Sequence, residues 1–327
     1  MIPKIAIIGC GNIGSKLDEG RDLPYALSHA GAYQKIGQNI NFLVDKDEDR
    51  LLTAAKVRGV EKIYNSYSEL FDKEQIDILS ICTTTSLRES IFIRALENKI
   101  PVIVCEKPIA ATYEEALKIK DLIESNDSAC ILNYSRRWDE DVEQIKNIIS
   151  NKELGSIASI EVTYGKGILN NASHALNLID FFIGAEKEID FVSIIEDDRI
   201  DFDPTYHVMM TYHSEENKFP VMLKATDYRN FTLWEIDILF SKGRIKFENS
   251  GMTKKIYTVV NNSIFKGYKT LELEKELNSG YLPCMENMIN EAIQLFCNKK
   301  SVTRSSIDDA LKPMTLINRI QTKYNEH

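Results

Sequence analysis

Lys4-Ile5-Ala6-Ile7-Ile8-Gly9-Cys10-Gly11-Asn12-Ile13-Gly14 joins a short apolar run to the pattern G-x-G-x-x-G. The run reads as a buried strand, and it ends where the chain must turn tightly. In such a turn Gly9 permits the bend, Gly11 lets the backbone approach a pyrophosphate, and Gly14 lets the following helix pack close to the strand. The backbone N–H groups around Asn12 and Ile13, with the positive end of the helix dipole, make an anion site that needs no basic side chain. The stretch therefore predicts a dinucleotide pocket.

An acid after the second strand strengthens that reading. Asn39-Ile40-Asn41-Phe42-Leu43-Val44 is followed by Asp45, where a carboxylate can accept hydrogen bonds from an adenosine ribose and repel a 2′-phosphate. NAD is favoured over NADP, while Lys46 and Arg50 leave NADP open as the less favoured cofactor. The spacing from the glycines to Asp45 exceeds the usual ~20 residues. The excess is assigned to an insertion around Asp18-Glu19-Gly20-Arg21-Asp22-Leu23-Pro24, whose composition reads as a loop.

At 327 residues the chain is too long for one comfortable core, which predicts two domains. A content of 43% hydrophobic and 27% charged residues is that of a globular protein, and the net charge of −9 argues against a nucleic-acid partner. The six cysteines stand apart from one another in apolar surroundings and read as reduced, buried thiols. No Cys/His cluster has metal-ligand spacing, and no metal is expected. With no signal-like leader and no apolar run near the ~20 residues that span a bilayer, the expectation is a cytoplasmic protein without a membrane partner.

From residue 1 to 133 short apolar runs alternate with amphipathic segments, the pattern of a doubly wound parallel sheet covered by helices. Strands are expected at 4–8, 40–44, near Ile63, at 76–82, 102–105 and 129–133. Residues 134–327 read as a second, α+β domain. It opens with a helix over 139–151 and continues as a large open, mainly antiparallel sheet. Two terminal helices, 283–298 and 306–324, return to brace the structure and can pack back on the first domain.

Pro101-Val102-Ile103-Val104-Cys105-Glu106-Lys107-Pro108 is a strand that delivers Glu-Lys-Pro to the carboxyl end of the sheet, where open α/β folds bind ligands. Together with the glycine motif, Asn133-Tyr134-Ser135-Arg136-Arg137-Trp138-Asp139 and a later helix bearing His174, it resembles the Gfo/Idh/MocA oxidoreductases. The resemblance implies an N-terminal Rossmann domain, and a C-terminal domain whose sheet often forms the subunit interface. It also implies NAD(P)-dependent hydride transfer at a hydroxyl or keto carbon of a sugar, polyol or sugar nucleotide. A homodimer or homotetramer is expected. Lys107 matches the lysine that binds the reacting oxygen, His174 matches the active-site histidine, and Thr83 and Glu106 join the cofactor contacts. Members commonly carry an Asp four residues before that histidine and another three after it; here both are amides, Asn170 and Asn177. Thr83-Thr84-Thr85 stands where many relatives have Thr-Pro.

Alcohol oxidation needs a group to take the hydroxyl proton and a positive group to stabilise the alkoxide. His174 is assigned the first role and Lys107 the second, with the reverse kept open because the acids are missing. On the helix, Ala175, Leu178, Ile179 and Phe182 form an apolar stripe, and Asn170, His174 and Asn177 share another face at i, i+4 and i+7. Tyr164 and Lys166, in the turn before that helix, are candidate substrate contacts. Arg136, beside Arg137 and Trp138, could hold a diphosphate or carboxylate, with domain-interface ion pairs as the competing reading. His207 and His213 lie too far apart on one strand to share an ion and read as sheet-surface residues. The amide replacements also support a reading of another class, an NAD-binding sensor of this fold with impaired turnover. Reduction of a non-sugar substrate is a third.

Overall fold

The computed structural model describes residues 2–195, 203–215, 217–299 and 302–326. It divides into two compact units, residues 1–138 with 282–311, and residues 139–281 with 312–327.

The first unit is built on a six-stranded parallel sheet in the order β3-β2-β1-β4-β5-β6. The strands are β1 (Ile5–Ile8), β2 (Phe42–Val44), β3 (Lys62–Tyr64), β4 (Ile78–Ile81), β5 (Val102–Cys105) and β6 (Ala129–Leu132). Each of β1, β2, β4 and β5 is buried along its whole length, as strands covered on both faces must be. Ile7 lies opposite Leu43 on one side and Ser80 on the other. The helices are α1 (His29–Lys35), α2 (Glu48–Arg58), α3 (Tyr67–Lys73), α4 (Arg88–Glu97) and α5 (Tyr113–Glu124). Thr112 and Glu115 close the start of α5 with a reciprocal capping box, the pattern Thr-x-x-Glu predicts.

In the second unit α6 (Glu140–Ser150) and α7 (Ser173–Phe182) accompany eight strands: β7 (Ile157–Tyr164), β8 (Glu186–Ile195), β9 (Thr205–His213), β10 (Lys218–Ala225), β11 (Trp234–Phe240), β12 (Gly243–Glu248), β13 (Thr253–Asn261) and β14 (Lys269–Leu277). Their order is β14-β13-β12-β11-β7-β10-β9-β8, antiparallel except for the β7–β10 pair. Alternate residues turn inward: Ile160, Val162 and Tyr164 on β7 and Ile236 and Ile238 on β11 join the core with Leu176 and Ile179 of α7. The opposite face carries charge pairs, Lys246–Glu248 at 2.8 Å, Lys255–Glu248 at 2.7 Å and Lys224–Glu161 at 3.6 Å. Lys254 points inward, fully buried, onto the carboxylates of Asp139 and Asp141.

Two further helices follow, α8 (Cys284–Phe296) and α9 (Ile307–Asn325). Within the first unit, Glu291 of α8 accepts from the Trp138 indole at 3.2 Å, and the Leu132 amide donates to the Ser305 carbonyl at 2.9 Å. All six cysteines are unpaired and five are buried. Among the described residues no helix is long and apolar enough to cross a membrane, and no group of His, Cys, Asp and Glu could hold a metal ion. His207 accepts from the Ala225 amide and His213 pairs with Glu188, both as sheet residues.

Candidate functional site

The glycine turn leaves β1 at Gly9, whose φ is +99° and whose added Cβ would strike the Cys82 carbonyl at 2.7 Å. A Cβ on Gly14 would lie 1.9 Å from the Gly9 carbonyl, so this position closes the turn onto the strand end. The expected helix does not run on from Gly14. A 3-10 turn (Lys16–Asp18) and a loop intervene, and α1 starts at His29. The His29 amide nevertheless donates to Ile13 at 2.9 Å and the Ala30 amide to Gly14 at 3.0 Å. In an uninterrupted helix those bonds would come from residues 17 and 18. Residues 17–28 are thus a twelve-residue detour spliced into the helix, and without it the spacing of 31 from Gly14 to Asp45 becomes 19. Asp18 holds the detour shut. It accepts from the Leu27 and Ser28 amides, the Ser28 hydroxyl and Arg58.

Among the described residues, the amides of Gly11, Asn12, Ile13 and Gly14 donate to no protein group. A Cβ on Gly11 would meet no atom within 4 Å. The open space is a cavity of about 400 Å³ lined by Gly9, Gly11, Asp45, Arg50, Ser66 and Thr83, a size typical of small-molecule sites. A run of unsatisfied N–H groups that begins at Gly11, on the cavity wall, suits a diphosphate. Asp45 is 6% exposed and takes the Cys10 amide at 2.8 Å and the Asp47 amide at 3.0 Å. Arg50 lies across both of its oxygens at 3.2 and 3.3 Å and reaches Asp47 at 2.9 Å. Burial and the nearby Asp45 charge push the Cys10 thiol up to about 12, so it stays protonated.

Strands β1, β4 and β5 are neighbours, so the glycine turn, Thr83 and Glu106-Lys107 leave the same carboxyl edge. The Thr83 hydroxyl is buried without a protein partner, and its carbonyl accepts from Arg88 at 2.8 Å. Arg88 is 4% exposed, and sequence reading missed it; an arginine starting an amphipathic helix gives no sign of burial. Lys107 is half-buried. Glu106 is buried, with Oε1 accepting from His29 at 2.9 Å and from Asn133. Burial alone would push its carboxyl up, but the bonds from His29 and Asn133 and the Arg88 charge outweigh this and hold it below the usual range.

In the second unit one expectation needs correction. Tyr164 is fully buried; its hydroxyl donates to the Tyr206 carbonyl at 2.8 Å and accepts from the Tyr206 amide at 2.9 Å, so it is a core residue rather than a substrate contact. Residues Ile168–Ala172 form a π-turn, whose i→i+5 bonding shifts the helical phase between Asn170 and α7, and within α7 His174 and Asn177 stand one turn apart. Asn170 is exposed, His174 half-buried and Asn177 1% exposed, while the apolar stripe Ala175, Leu178, Ile179 and Phe182 is buried as expected. Lys166 is exposed in the turn at φ +66°. Sequence reading also missed Asp203, whose two oxygens accept from the Leu169 and Asn170 amides at 2.8 and 2.7 Å and cap the His174 segment.

The segment after β6 also departs from its ligand-binding reading. Arg137 is 3% exposed and pairs with Asp309 at 3.2 Å, and Trp138 is 2% exposed with its N–H on Glu291. Neither presents a fork or a ring to a ligand. Arg136 is likewise buried in the first unit.

Residues 3–134 match the oxidoreductase family with an NAD-binding Rossmann fold, GFO_IDH_MocA. Over these residues the chain matches the Rossmann domain of that family. Beyond it, a myo-inositol 2-dehydrogenase of Thermotoga maritima is 24% identical over 214 residues, 60% of this chain and 60% of that protein. The chain thus matches about three fifths of that relative's length.

Solved structures superpose over nearly the whole chain. A levoglucosan dehydrogenase in complex with NADH and levoglucosan gives a TM-score of 0.77 at 16% identity, covering 100% of this chain and 98% of that one. A super-repressor mutant of Gal80p from Saccharomyces cerevisiae gives 0.77 at 13% identity, covering 98% and 95%. At these identities the likeness is one of fold: a parallel six-stranded sheet and a mostly antiparallel eight-stranded sheet in one chain.

Proposed function

We propose that this chain is an NAD-dependent oxidoreductase that transfers hydride between the nicotinamide and a hydroxyl or keto carbon of a sugar, polyol or sugar nucleotide. The observation that carries the reading is the run of unpartnered amides at Gly11–Gly14, which begins at Gly11 on the wall of the cavity that Asp45 also lines. These amides would hold the pyrophosphate, Asp45 the adenosine ribose, and the Thr83 hydroxyl and Glu106 the nicotinamide half. NAD rather than NADP is supported by Asp45, which lines the cavity, while Arg50 stays tied to Asp45 and Asp47. When bound, the cofactor supplies a hydride acceptor or donor. Lys107, half-buried, is assigned the developing alkoxide, and His174 the hydroxyl proton. Lys166 and Asn170, both exposed on the His174 segment, are the proposed substrate contacts, with buried Arg136 the least favoured. The assembly is proposed to be a homodimer or homotetramer.

The test is binding of NADH and NADPH, followed by hydride exchange over a panel of polyols, sugars and sugar nucleotides. Lys107→Ala and His174→Asn should each lower kcat by about 10²–10⁴. Absence of binding by either cofactor removes the reading. A second reading, an NAD-binding sensor, is favoured by one observation: Asn170 and Asn177 place no carboxylate on the His174 helix where many relatives carry acids. Tight NADH binding with no exchange on any panel member would select it.

A further inference from the structure

Behind the carboxyl edge of the parallel sheet lies a polar chain that the proposed chemistry does not use directly. His29, Ser80 and Tyr33 are each fully buried. Tyr33 Oη lies 3.0 Å from Ser80 Oγ, Ser80 Oγ lies 3.2 Å from His29 Nδ1, and His29 Nε2 lies 2.9 Å from Glu106 Oε1. These residues come from α1, β4 and the end of β5, so sequence spacing does not reveal the chain. Oε1 also accepts from Asn133. Oε2 accepts from no protein group among the described residues and is not sealed from solvent.

An ionised carboxylate only accepts, so His29 Nε2 carries a hydrogen and donates it to Oε1. Ser80 Oγ bridges His29 Nδ1 and the hydroxyl of Tyr33, whose phenol burial keeps protonated. Apart from this chain, Arg88 from α4, Cys82 after β4, Cys105 on β5 and the adjoining Lys107 surround Glu106. Both thiols are pushed up by burial, so they face Glu106 uncharged.

We propose that His29, supported by Ser80 and Tyr33, is a positioning residue that keeps Glu106 ionised and turned, so that Oε2 is presented to a ligand hydroxyl. Oε1 is saturated by His29 and Asn133, which leaves one oxygen with open acceptor capacity. That such a ligand is the nicotinamide dinucleotide rests on the proposed function; the support of Glu106 by His29 does not.

Two measurements separate these claims. In protein carrying ¹³C-labelled glutamate, the Glu106 carboxyl resonance, assigned by its loss in Glu106→Gln, is titrated with acid in the wild type, His29→Leu and His29→Gln. The expected result is a midpoint at least one unit higher in His29→Leu, a tenfold rise in proton affinity, largely reversed in His29→Gln, whose amide can still donate. Should His29→Leu fail to fold, Ser80→Ala, which removes the hydrogen-bond partner of Nδ1, should show a smaller rise. An unchanged midpoint in the folded variants overturns the proposal. NADH affinity is then followed against pH: in His29→Leu it should weaken on acidification at higher pH than in the wild type. A wild type that binds neither NADH nor NADPH refutes the cofactor assignment, while the carboxyl titration still decides the role of His29.

Discussion

The amide of His29 donates to the carbonyl of Ile13 at 2.9 Å and closes, across the twelve-residue detour 17–28, a helical bond that would otherwise come from residue 17. The detour is thus an insertion within one helical turn. Its anchor is Asp18 against Arg58, with both side chains 6% exposed. Removing residues 17–28 should leave Arg58 without its carboxylate and destabilise the protein by about 3–5 kcal/mol. Adding Arg58→Met should recover most of that loss. Urea unfolding of both deletions checks this; a double variant that cannot fold would show that the detour is required by the core.

Asp18 also sets an acid limit. Burial pushes its carboxyl up, but bonds from Ser28, the Leu27 amide and Arg58 outweigh this and hold it below its ordinary value. A depressed carboxyl contributes stability above its unfolded pKa of about 3.9 and loses it as pH falls through the folded value. The stability difference between wild type and Asp18→Ala should be full at pH 6 and shrink below about pH 4. A difference independent of pH would rule out the ionised pair.

Gly11 and Gly14 should separate binding from folding. Gly11→Ala puts its methyl into open cavity space, so unfolding should be nearly unchanged while NADH affinity falls. Gly14→Ala drives its methyl into the Gly9 carbonyl and should cost about 1–3 kcal/mol from overpacking. Paired melting and NADH titrations distinguish the two. Equal effects of both substitutions would contradict the placement of the turn.

Asp45→Ser should free Arg50 from one of its two carboxylates. Loss of a charged hydrogen-bond acceptor of about 1.5–3 kcal/mol predicts a fall in NADH affinity of roughly 10- to 150-fold, with NADPH gaining on NADH. Fluorescence titration with both cofactors gives the ratio. No change in that ratio would mean that Asp45 does not read the ribose.

Lys254→Met should leave Asp139 and Asp141 buried without their cation and cost about 3–5 kcal/mol. Burial already raises the Asp139 carboxyl, with Lys254 opposing it. A raised carboxyl favours the protonated fold, so the variant should be more stable at pH 5 than at pH 8. Chemical denaturation at both values tests the sign.

Much of the fold was legible because local chemistry writes it. Fully apolar runs such as Ile5–Ile8 and Val102–Cys105 fit only strands covered on both faces, and Gly9 and Gly14 stand where a side chain would strike backbone. The loop at Asp18–Pro24 accounted for the long spacing to Asp45, but the restart of the helix at His29 was not legible, since the Ile13–His29 bond joins residues sixteen apart. Tyr164 was misread as a substrate contact although period two puts it inward with Ile160 and Val162. The π-turn at Ile168–Ala172 was not legible, because it shifts phase without a distinctive sequence mark.

By itself, the sequence determined the alternation of strands and helices, the glycine turn, the acid after β2 and the delivery of Glu106-Lys107 to a strand end, all consequences of steric freedom and apolar period over a few residues. The tertiary structure alone decided which oxygen of Glu106 is occupied, which carboxylate caps the His174 segment, and that Arg137 and Trp138 are sealed inside. Those outcomes depend on partners such as His29, Asp203 and Asp309, brought together from 33 to 172 residues away. No short-range pattern encodes them, because a buried polar group takes whichever partner the packed core places within reach.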